Sequence, residues 1–594
     1  MKKVKTTVKS QKDQHIQSVK NGGTSLIKYA VIDIETTGLN RFTDEITWIG
    51  ASIHEDIDCD AKKTFIYDCS TARGIQRFKE FVNRLKDKKV KVIWQNGKFD
   101  TLFIEQKYGL KLPISEDVML MGTAYDLAAE HGLKKMAIKY LHVEDWDIKK
   151  KDKLSGNKDT VVPYLKLDVK YTWDLFCYFQ HKLNSQQRKI YKKLLLPAYK
   201  MYRDVERNGI YIDLKEYDKV KKSYAKQEAD KLEALNSRYS INWNSPQQKQ
   251  EVLFKKEKLP VLKTTPKGAP SADAQVLKRL AAQGFELPQM LLDYSAVNTL
   301  NKMFLNRWGD DASYDGRIHP SFNLTNVVSG RTSCNDPNLQ QVPRTKDVRA
   351  LFTAPKGRVF FEADYSQLEL RIAAHYAKDP TMLRIYREGG DIHTETARVL
   401  TGGREPTKEE RSKAKAVNFG FLYGMLAPKF VDYAYNSYGV TFTKAEAQHY
   451  RDAFFTKYSR LLPWHKEQEE LCEMLGGVPN LFGRFRKLPK IYSEQKFERL
   501  EAVRRAINTP VQGTGSDILL CAAVEVHKTL SPYGLKVCGT IHDSIVGEFN
   551  VEDEDWIVDE IKRIMAHPKL MDDFGVELSV QLEADVGVGP WGSK

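Results

Sequence analysis

Four acidic side chains and one phenol stand out in the first third of the chain. Asp33 and Glu35 are two apart in Lys28-Tyr-Ala-Val-Ile-Asp-Ile-Glu-Thr-Thr-Gly-Leu39, a run of β-formers closed by a glycine turn. Residues two apart on a strand face the same way, so these carboxylates repel each other unless a cation sits between them. The plain alternative is the exposed polar face of an edge strand. Asp100 follows the apolar run Val90-Lys-Val-Ile-Trp and a turn at Asn96-Gly97. It falls near the start of an expected helix, where by itself it reads as a capping residue. Tyr164 and Asp168 are four apart in Thr160-Val-Val-Pro-Tyr-Leu-Lys-Leu-Asp168. That spacing puts them on one face of a helix whose first turn suits Pro163. As an isolated pair they are more often surface decoration.

A second constellation lies further on. Asp364 closes the strand-like Arg358-Val-Phe-Phe-Glu-Ala-Asp, and Leu368, Ile372 and His375 then recur at helical spacing. A carboxylate where a strand hands over to a helix is a usual place for a metal ligand; a capping aspartate is the bland alternative. Arg411, Lys415, Phe419 and Tyr423 recur every fourth residue along a helix opened by a Thr407/Glu410 capping box. Two cations followed by two aromatics suit the phosphates, sugar and base of a nucleoside triphosphate. A solvated amphipathic helix is the rival for that stripe. Lys536 to Phe549 reads as a β-hairpin with His542 and Asp543 at its turn.

The elements that must hold these groups fit a multidomain chain. With 594 residues, two to four domains are expected. Apolar residues make up 41% and charged residues 29%, an ordinary globular balance. No apolar run is long enough to span a membrane. Residues 1–27 read as a flexible basic tail without the apolar core of a secretory signal. Seven cysteines without a C-x-x-C pair argue against a disulfide framework or a structural zinc site, and a cytoplasmic setting follows. The net charge of +15, spread along the chain, suits a polyanionic partner.

The order D-x-E, N-x-x-F-D, Y-x-x-x-D resembles the DnaQ-like 3′→5′ exonucleases, in the subgroup with tyrosine in the third motif. His131-Gly-Leu-Lys134, after Asp117-Val-Met, is similar to that family's linking segment. The later motifs, Asp364-Tyr-Ser-Gln-Leu-Glu-Leu-Arg371, then R-x-x-x-K-x-x-x-F-G-x-x-Y-G from Arg411, then His542-Asp543, resemble motifs A, B and C of family A DNA polymerases. Ser329-Gly-Arg-Thr-Ser, Asp336-Pro-Asn-Leu-Gln340, Asp391-Ile-His393, Arg504 to Thr514 and Asp585 to Trp591 resemble further segments of that family.

The resemblance implies an α/β ribonuclease-H-like exonuclease domain over residues 28–185. An α+β right-hand polymerase domain would fill residues 186–594. Its thumb would lie near 190–315, its palm near 316–380 and 500–594, and its fingers near 381–499. It implies two Mg²⁺ ions at each site, with Mn²⁺ as a substitute. Asp33, Glu35, Asp100 and Asp168 would hold one pair, with Tyr164 orienting the attacking water. Asp364 and Asp543 would hold the other. Arg411, Lys415 and His393 would neutralise the triphosphate, with Lys415 a proton donor to pyrophosphate. Phe419 would stack on the incoming nucleotide, Glu369 would exclude a ribose 2′-hydroxyl, and Tyr423 would sit near the templating base. Arg331, Asn338, Gln340, Arg504, Asn508, Gln512 and His542 are the expected DNA contacts, mostly in the minor groove.

Two departures matter. Motif C has Ser544 where many relatives carry glutamate, which leaves the contribution of that position open. The exonuclease motifs begin so early that no 5′-nuclease domain is expected. The implied protein is a monomeric, phage-type replicative polymerase in a bacterial or phage-infected cell, with an organellar origin still open. Its partners would be primer–template DNA and dNTPs, with helicase, primase or single-strand-binding protein as candidates. Three rivals stand beside it: a ribonuclease D type nuclease, a single-subunit RNA polymerase, and a non-catalytic nucleic-acid binder.

Overall fold

Asp33 and Glu35 lie on the central strand of a five-stranded sheet, which disposes of the edge-strand alternative. The computed structural model describes residues 27–593, so all but the last residue of the basic tail falls outside the description. The chain divides into two units. The first runs to Gly122 and resumes over Glu130–Leu183; the second takes Thr123–Ala129 and everything from Asn184 onward.

In the first unit the strands are β1 (Tyr29–Thr36), β2 (Ile46–His54), β3 (Lys63–Asp68), β4 (Lys91–Trp94) and β5 (Glu116–Asp117), in the order β3-β2-β1-β4-β5. β1 pairs antiparallel with β2 and parallel with β4. Along β1, Ala30, Val31, Ile32 and Ile34 are buried while Asp33 and Glu35 remain half-buried. Among the helices of the unit are α1 (Ala72–Asp87), α2 (Gly97–Tyr108), α3 (Leu133–Leu141) and α4 (Lys158–Lys182). Gly50, opposite Asp33 in the β1–β2 register, lets α4 come close: a Cβ there would stand 2.8 Å from Leu165 and 2.9 Å from Val169. This close approach carries Tyr164 and Asp168 to the carboxylates of β1.

Pro163 does not lie in the first helical turn as expected. α4 begins at Lys158, and the Asn157 side chain accepts from Asp159 N at 2.9 Å, so Pro163 falls in the second turn. Its missing N–H forfeits one intrahelical bond. Burial of Val161, Leu165, Val169 and Phe176 carries the helix through.

The second unit is built on an antiparallel sheet of β6 (Arg358–Tyr365), β7 (Lys536–Ile541), β8 (Ser544–Asn550) and β9 (Ala584–Val588), in the order β7-β8-β6-β9. Glu548 of β8, fully buried, accepts from Arg317 Nη2 at 2.7 and 3.0 Å and from Arg358 Nε at 3.0 Å. A buried carboxylate is tolerated only when paired in this way. Helices α5 (Leu214–Asn236) and α6 (Glu286–Leu300) belong to a helical region in which Leu235, Trp243, Leu253, Leu277 and Leu291 form a core of their own. Further helices are α7 (Leu368–Ala377), α8 (Ile392–Leu400), α9 (Lys408–Leu422) and α10 (Lys496–Leu530). α10, at 35 residues, is about 52 Å long. Small residues such as Ala506, Gly513, Ala522 and Ala523 are buried along it. Thr123–Ala129 is tied to this unit by Gln187 Nε2 on the Tyr125 carbonyl at 3.1 Å and by the Lys487–Asp126 pair at 2.9 Å.

Candidate active sites

In the first unit, carboxylate oxygens of Asp33, Glu35 and Asp168 all lie within 4.8 Å of one another. Alternation along β1 puts the first two on one face, and one face of α4 supplies the third. Asp100 joins from α2. It is no cap: it is buried, and its Oδ1 accepts from Ile34 N at 3.1 Å, which ties α2 to β1 between the two β1 carboxylates. Burial, and then the charges of Asp100 and Asp168, push Asp33 well above the usual carboxylate range. Glu35 is pushed up to about 7 by burial and then by Asp168. Such a crowd of acids is unfavourable as bare anions and suits hard divalent cations, which take carboxylate oxygens.

Three neighbours carry no role in the sequence reading. Lys134 Nζ donates to both oxygens of Asp168, at 2.8 and 2.6 Å, and to the Tyr164 hydroxyl. Trp146 Nε1 donates to Asp168 Oδ1 at 2.6 Å. Asp117, fully buried, accepts from Gly97 N at 2.9 Å and from Met119 N at 3.1 Å, and so anchors the start of the helix that carries Asp100. The His-Gly-Leu-Lys and Asp-Val-Met segments flagged two of these residues. Their contacts, made across 34 and 20 residues, gave no local signal.

In the second unit, Asp364 pairs with Ser544 across β6 and β8 and with Asp585 across β6 and β9. Tyr365 N donates to the Asp543 carbonyl at 3.3 Å, so Asp364 at the end of β6 and Asp543 in the β7–β8 turn are neighbours in the backbone. Asp543 is pushed up to about 6 by burial first, then by the Glu369 and Asp364 charges, with Arg331 opposing. Ser544 is buried and its hydroxyl donates to the Ile541 carbonyl at 2.8 Å. It closes the hairpin turn. His542 is exposed at that turn with φ 56°. Glu369 takes a hydrogen bond from Tyr423 Oη at 2.5 Å and pairs with Arg331, joining the α7, α9 and Ser329–Ser333 segments beside the aspartates.

The capping box of α9 is present: Thr407 Oγ1 accepts from Glu410 N at 3.2 Å, and Glu410 accepts from Thr407 N at 2.8 Å. Arg411, Lys415, Phe419 and Tyr423 are all half-buried along one stripe, while Ala414, Val417 and Phe421 pack the opposite face. Arg411 Nε donates to Asp391 at 2.6 Å, which also accepts from Gln367 Nε2 at 2.9 Å and from the N–H of His393 at 3.2 Å. His393 is 3% exposed, and burial holds it down at about 4, with the Asp391 charge opposing and those of Lys415 and Arg411 adding to the effect. Asn418 Nδ2 lies 2.7 Å from His393 Nδ1, and the Phe419 ring stands 5.8 Å from the imidazole.

Among the expected DNA contacts, Arg504, Asn508 and Gln512 fall four apart on one partly exposed face of α10. Arg331 is exposed and reaches Glu369. Asn338 and Gln340 are already engaged within the unit. Asn338 Oδ1 accepts from Gln340 N at 3.1 Å, and Gln340 Nε2 donates to the Thr540 carbonyl at 3.2 Å. Arg484 and Asp517, absent from the sequence reading, form a buried pair at 2.6 Å beneath the loop that carries Arg331. Asn480 Nδ2 and Ser516 Oγ complete it, on Asp517 at 2.6 Å and on the Gly330 carbonyl at 2.9 Å. Among the described residues no helix is long and apolar enough to cross a membrane.

Comparison with known proteins bears on both sites. Residues 213–593 match the model of DNA polymerase family A, and residues 6–184 match that of a 3′-5′ exonuclease. The chain is 31% identical over 540 residues to DNA polymerase I of Pseudomonas aeruginosa, covering 85% of this chain and 56% of that protein. It is 26% identical over 639 residues to the DNA polymerase of Bacillus phage SP01, covering 90% of this chain and 68% of the phage protein. It thus spans less than two thirds of the length of the Pseudomonas relative. In fold it is similar to the POL domain of Pol1 from M. smegmatis, solved in complex with DNA primer-template and dNTP. The TM-score is 0.82 at 24% identity, with 96% of each chain covered. With the motif A, B and C residues gathered as described, the chain belongs to DNA polymerase family A and carries a 3′-5′ exonuclease domain ahead of its polymerase domain.

Proposed function

We propose that this chain extends a primer 3′ end on a DNA template with deoxynucleoside triphosphates, and removes misplaced 3′ nucleotides by 3′→5′ hydrolysis. The observation that carries the reading is the adjacency of Asp364 and Asp543 beside the Arg411–Tyr423 stripe. Two Mg²⁺ ions at each site, or Mn²⁺ in their place, would lower the pKa of the attacking hydroxyl or water and offset charge on the phosphoryl group. Asp364 and Asp543 would hold the synthetic pair; Asp33, Glu35, Asp100 and Asp168 would hold the hydrolytic pair.

The chain's own groups divide the remaining work. Arg411 and Lys415 bind the triphosphate, and Lys415 protonates the departing pyrophosphate. Asp391 holds the Arg411 guanidinium in position before the nucleotide arrives. His393 stands with Arg411 and Lys415 at the triphosphate. Phe419 stacks on the nucleotide, and Tyr423 borders the templating base. Glu369, braced between Arg331 and Tyr423, fills the space of a 2′-hydroxyl. Arg331, Asn338, Gln340, Arg504, Asn508, Gln512 and His542 contact the duplex. Tyr164 orients the hydrolytic water.

Residues 28–185 act as the exonuclease. In the polymerase domain the thumb lies near 190–315, the palm near 316–380 and 500–594, and the fingers near 381–499. The role that fits is replicative and phage-like, in the cytoplasm of a bacterial or phage-infected cell, as a monomer working beside a helicase, primase or single-strand-binding protein. Similarity to the phage polymerase supports this placement. Replication of a phage genome in a reconstituted system tests it: dispensability of the chain for fork synthesis would reassign it to repair.

A further inference from the structure

Lys134 of α3 places its ammonium inside the carboxylate cluster of the exonuclease unit. It donates to both oxygens of Asp168 and to the Tyr164 hydroxyl, and it lies 4.1 Å from the centre of the Tyr164 ring. The lysine side chain is 18% exposed and that of Asp168 is 6% exposed, so water screens the contact poorly. Trp146 holds the same Asp168 oxygen from another side. Lys153, the other cation over the Tyr164 ring, is committed to Asp147 at 2.6 Å.

We propose that Lys134 is a positioning residue for hydrolysis: a resident counter-cation that holds Asp168 and Tyr164 and competes with divalent metal for the carboxylate cluster. The inference rests on the exonuclease reading of this unit. Two arguments carry it. The first is charge. Asp33, Glu35 and Asp168 converge within 4.8 Å, and one ammonium offsets only part of that charge. Divalent cations are still attracted, but the ammonium must yield an Asp168 oxygen when one binds. Affinity is therefore set lower than four bare carboxylates would give, and the lysine keeps the site assembled before metal arrives.

The second argument is hydrogen-bond direction. An ammonium has three donors and no acceptor. It can only donate to the Tyr164 oxygen, so the phenol's own proton points elsewhere. Asp168 is within hydrogen-bonding reach of the phenol, and its Oδ2, which accepts from Lys134, has a further lone pair for the phenol proton. The ammonium and the carboxylate thus fix the Tyr164 hydroxyl between them. Without the lysine, the phenol oxygen loses the donor that sets its rotation.

The test uses the full chain with Lys134→Met and Lys134→Arg. Mn²⁺ binding is titrated by electron paramagnetic resonance in an Asp364→Ala/Asp543→Ala background, so that the exonuclease cluster dominates the signal. Adding Asp33→Ala/Glu35→Ala should remove that signal. Single-strand 3′ shortening is measured in the otherwise unaltered chain, with primer extension as the check on folding. Lys134→Met should bind Mn²⁺ about tenfold more tightly, because one repelling unit charge a few ångströms away is gone. Its shortening rate should fall about 10–100-fold, as when a partner of a metal ligand is lost. Lys134→Arg should keep near-parental Mn²⁺ affinity and recover part of the rate. Weaker or unchanged Mn²⁺ binding in Lys134→Met would overturn the counter-cation claim, and an unchanged shortening rate would overturn the positioning claim. If the parent chain binds Mn²⁺ at the cluster but never shortens DNA, the exonuclease reading fails, and the positioning claim with it. The direction of the Mn²⁺ shift would still decide the counter-cation claim.

Discussion

Asp364 faces Ser544 across the antiparallel pairing of β6 and β8, which sets Asp543 one residue beyond it at the mouth of the hairpin. The Tyr365–Asp543 backbone bond of 3.3 Å keeps the two strand ends in register. Acids held at neighbouring backbone positions on a strand end and a hairpin turn suit a shared cation. Asp364→Ala or Asp543→Ala should therefore lower primer extension by at least about a thousandfold while 3′ shortening persists. Gel analysis of the same preparation reads both activities. Retained extension would contradict the assignment.

The mirror experiment addresses the other unit. Asp33→Ala combined with Glu35→Ala removes two members of the carboxylate cluster. Shortening of a mispaired primer should be abolished and extension of a paired primer preserved. Surviving proofreading would place the hydrolytic site elsewhere.

Glu369 is braced by Tyr423 and Arg331. Glu369→Ala opens the space of a 2′-hydroxyl and should relax discrimination against ribonucleotides by about a hundredfold. Competitive incorporation of rATP against dATP measures it. Unchanged selectivity would mean that another side chain guards the sugar.

Burial holds His393 down at about 4; the Asp391 charge opposes this, and the Lys415 and Arg411 charges add to it. The sign is fixed: at pH 6, below the usual histidine value and above about 4, the ring should remain neutral. Imidazole nitrogen shifts, assigned by comparison with His393→Gln, report this directly. An imidazolium signal at pH 6 would contradict it.

The paired charges of Arg484 and Asp517 are 6% and 0% exposed. Arg484→Met strands a buried carboxylate and should cost about 3–5 kcal/mol. Adding Asp517→Leu should recover most of that loss. Scanning calorimetry of the three chains is the check, and an unchanged transition in the single variant would contradict it.

Much of the site was legible because its chemistry sits on regular elements. Asp33 and Glu35 share a face by strand alternation, Arg411 to Tyr423 share a stripe by helical spacing, and the hairpin around Asp543 was visible in its β-rich arms. What was hidden depends on distance along the chain. The Lys134 contact with Asp168 spans 34 residues, and the Arg484–Asp517 pair spans 33. Asp100 looked like a helix cap because local sequence cannot reveal that its oxygen is taken by Ile34, 66 residues away. Pro163 misled for the opposite reason: a local rule favoured the first turn, and tertiary burial of α4 overrode it. The burial of His393 was hidden too, since burial is invisible in a motif.

The most direct measurement is a time course on one primer–template with Mg²⁺, run with and without the four dNTPs. With dNTPs the primer should lengthen to the end of the template; without them it should shorten from its 3′ end one nucleotide at a time. Shortening under both conditions, with no extension at any time, would contradict the account.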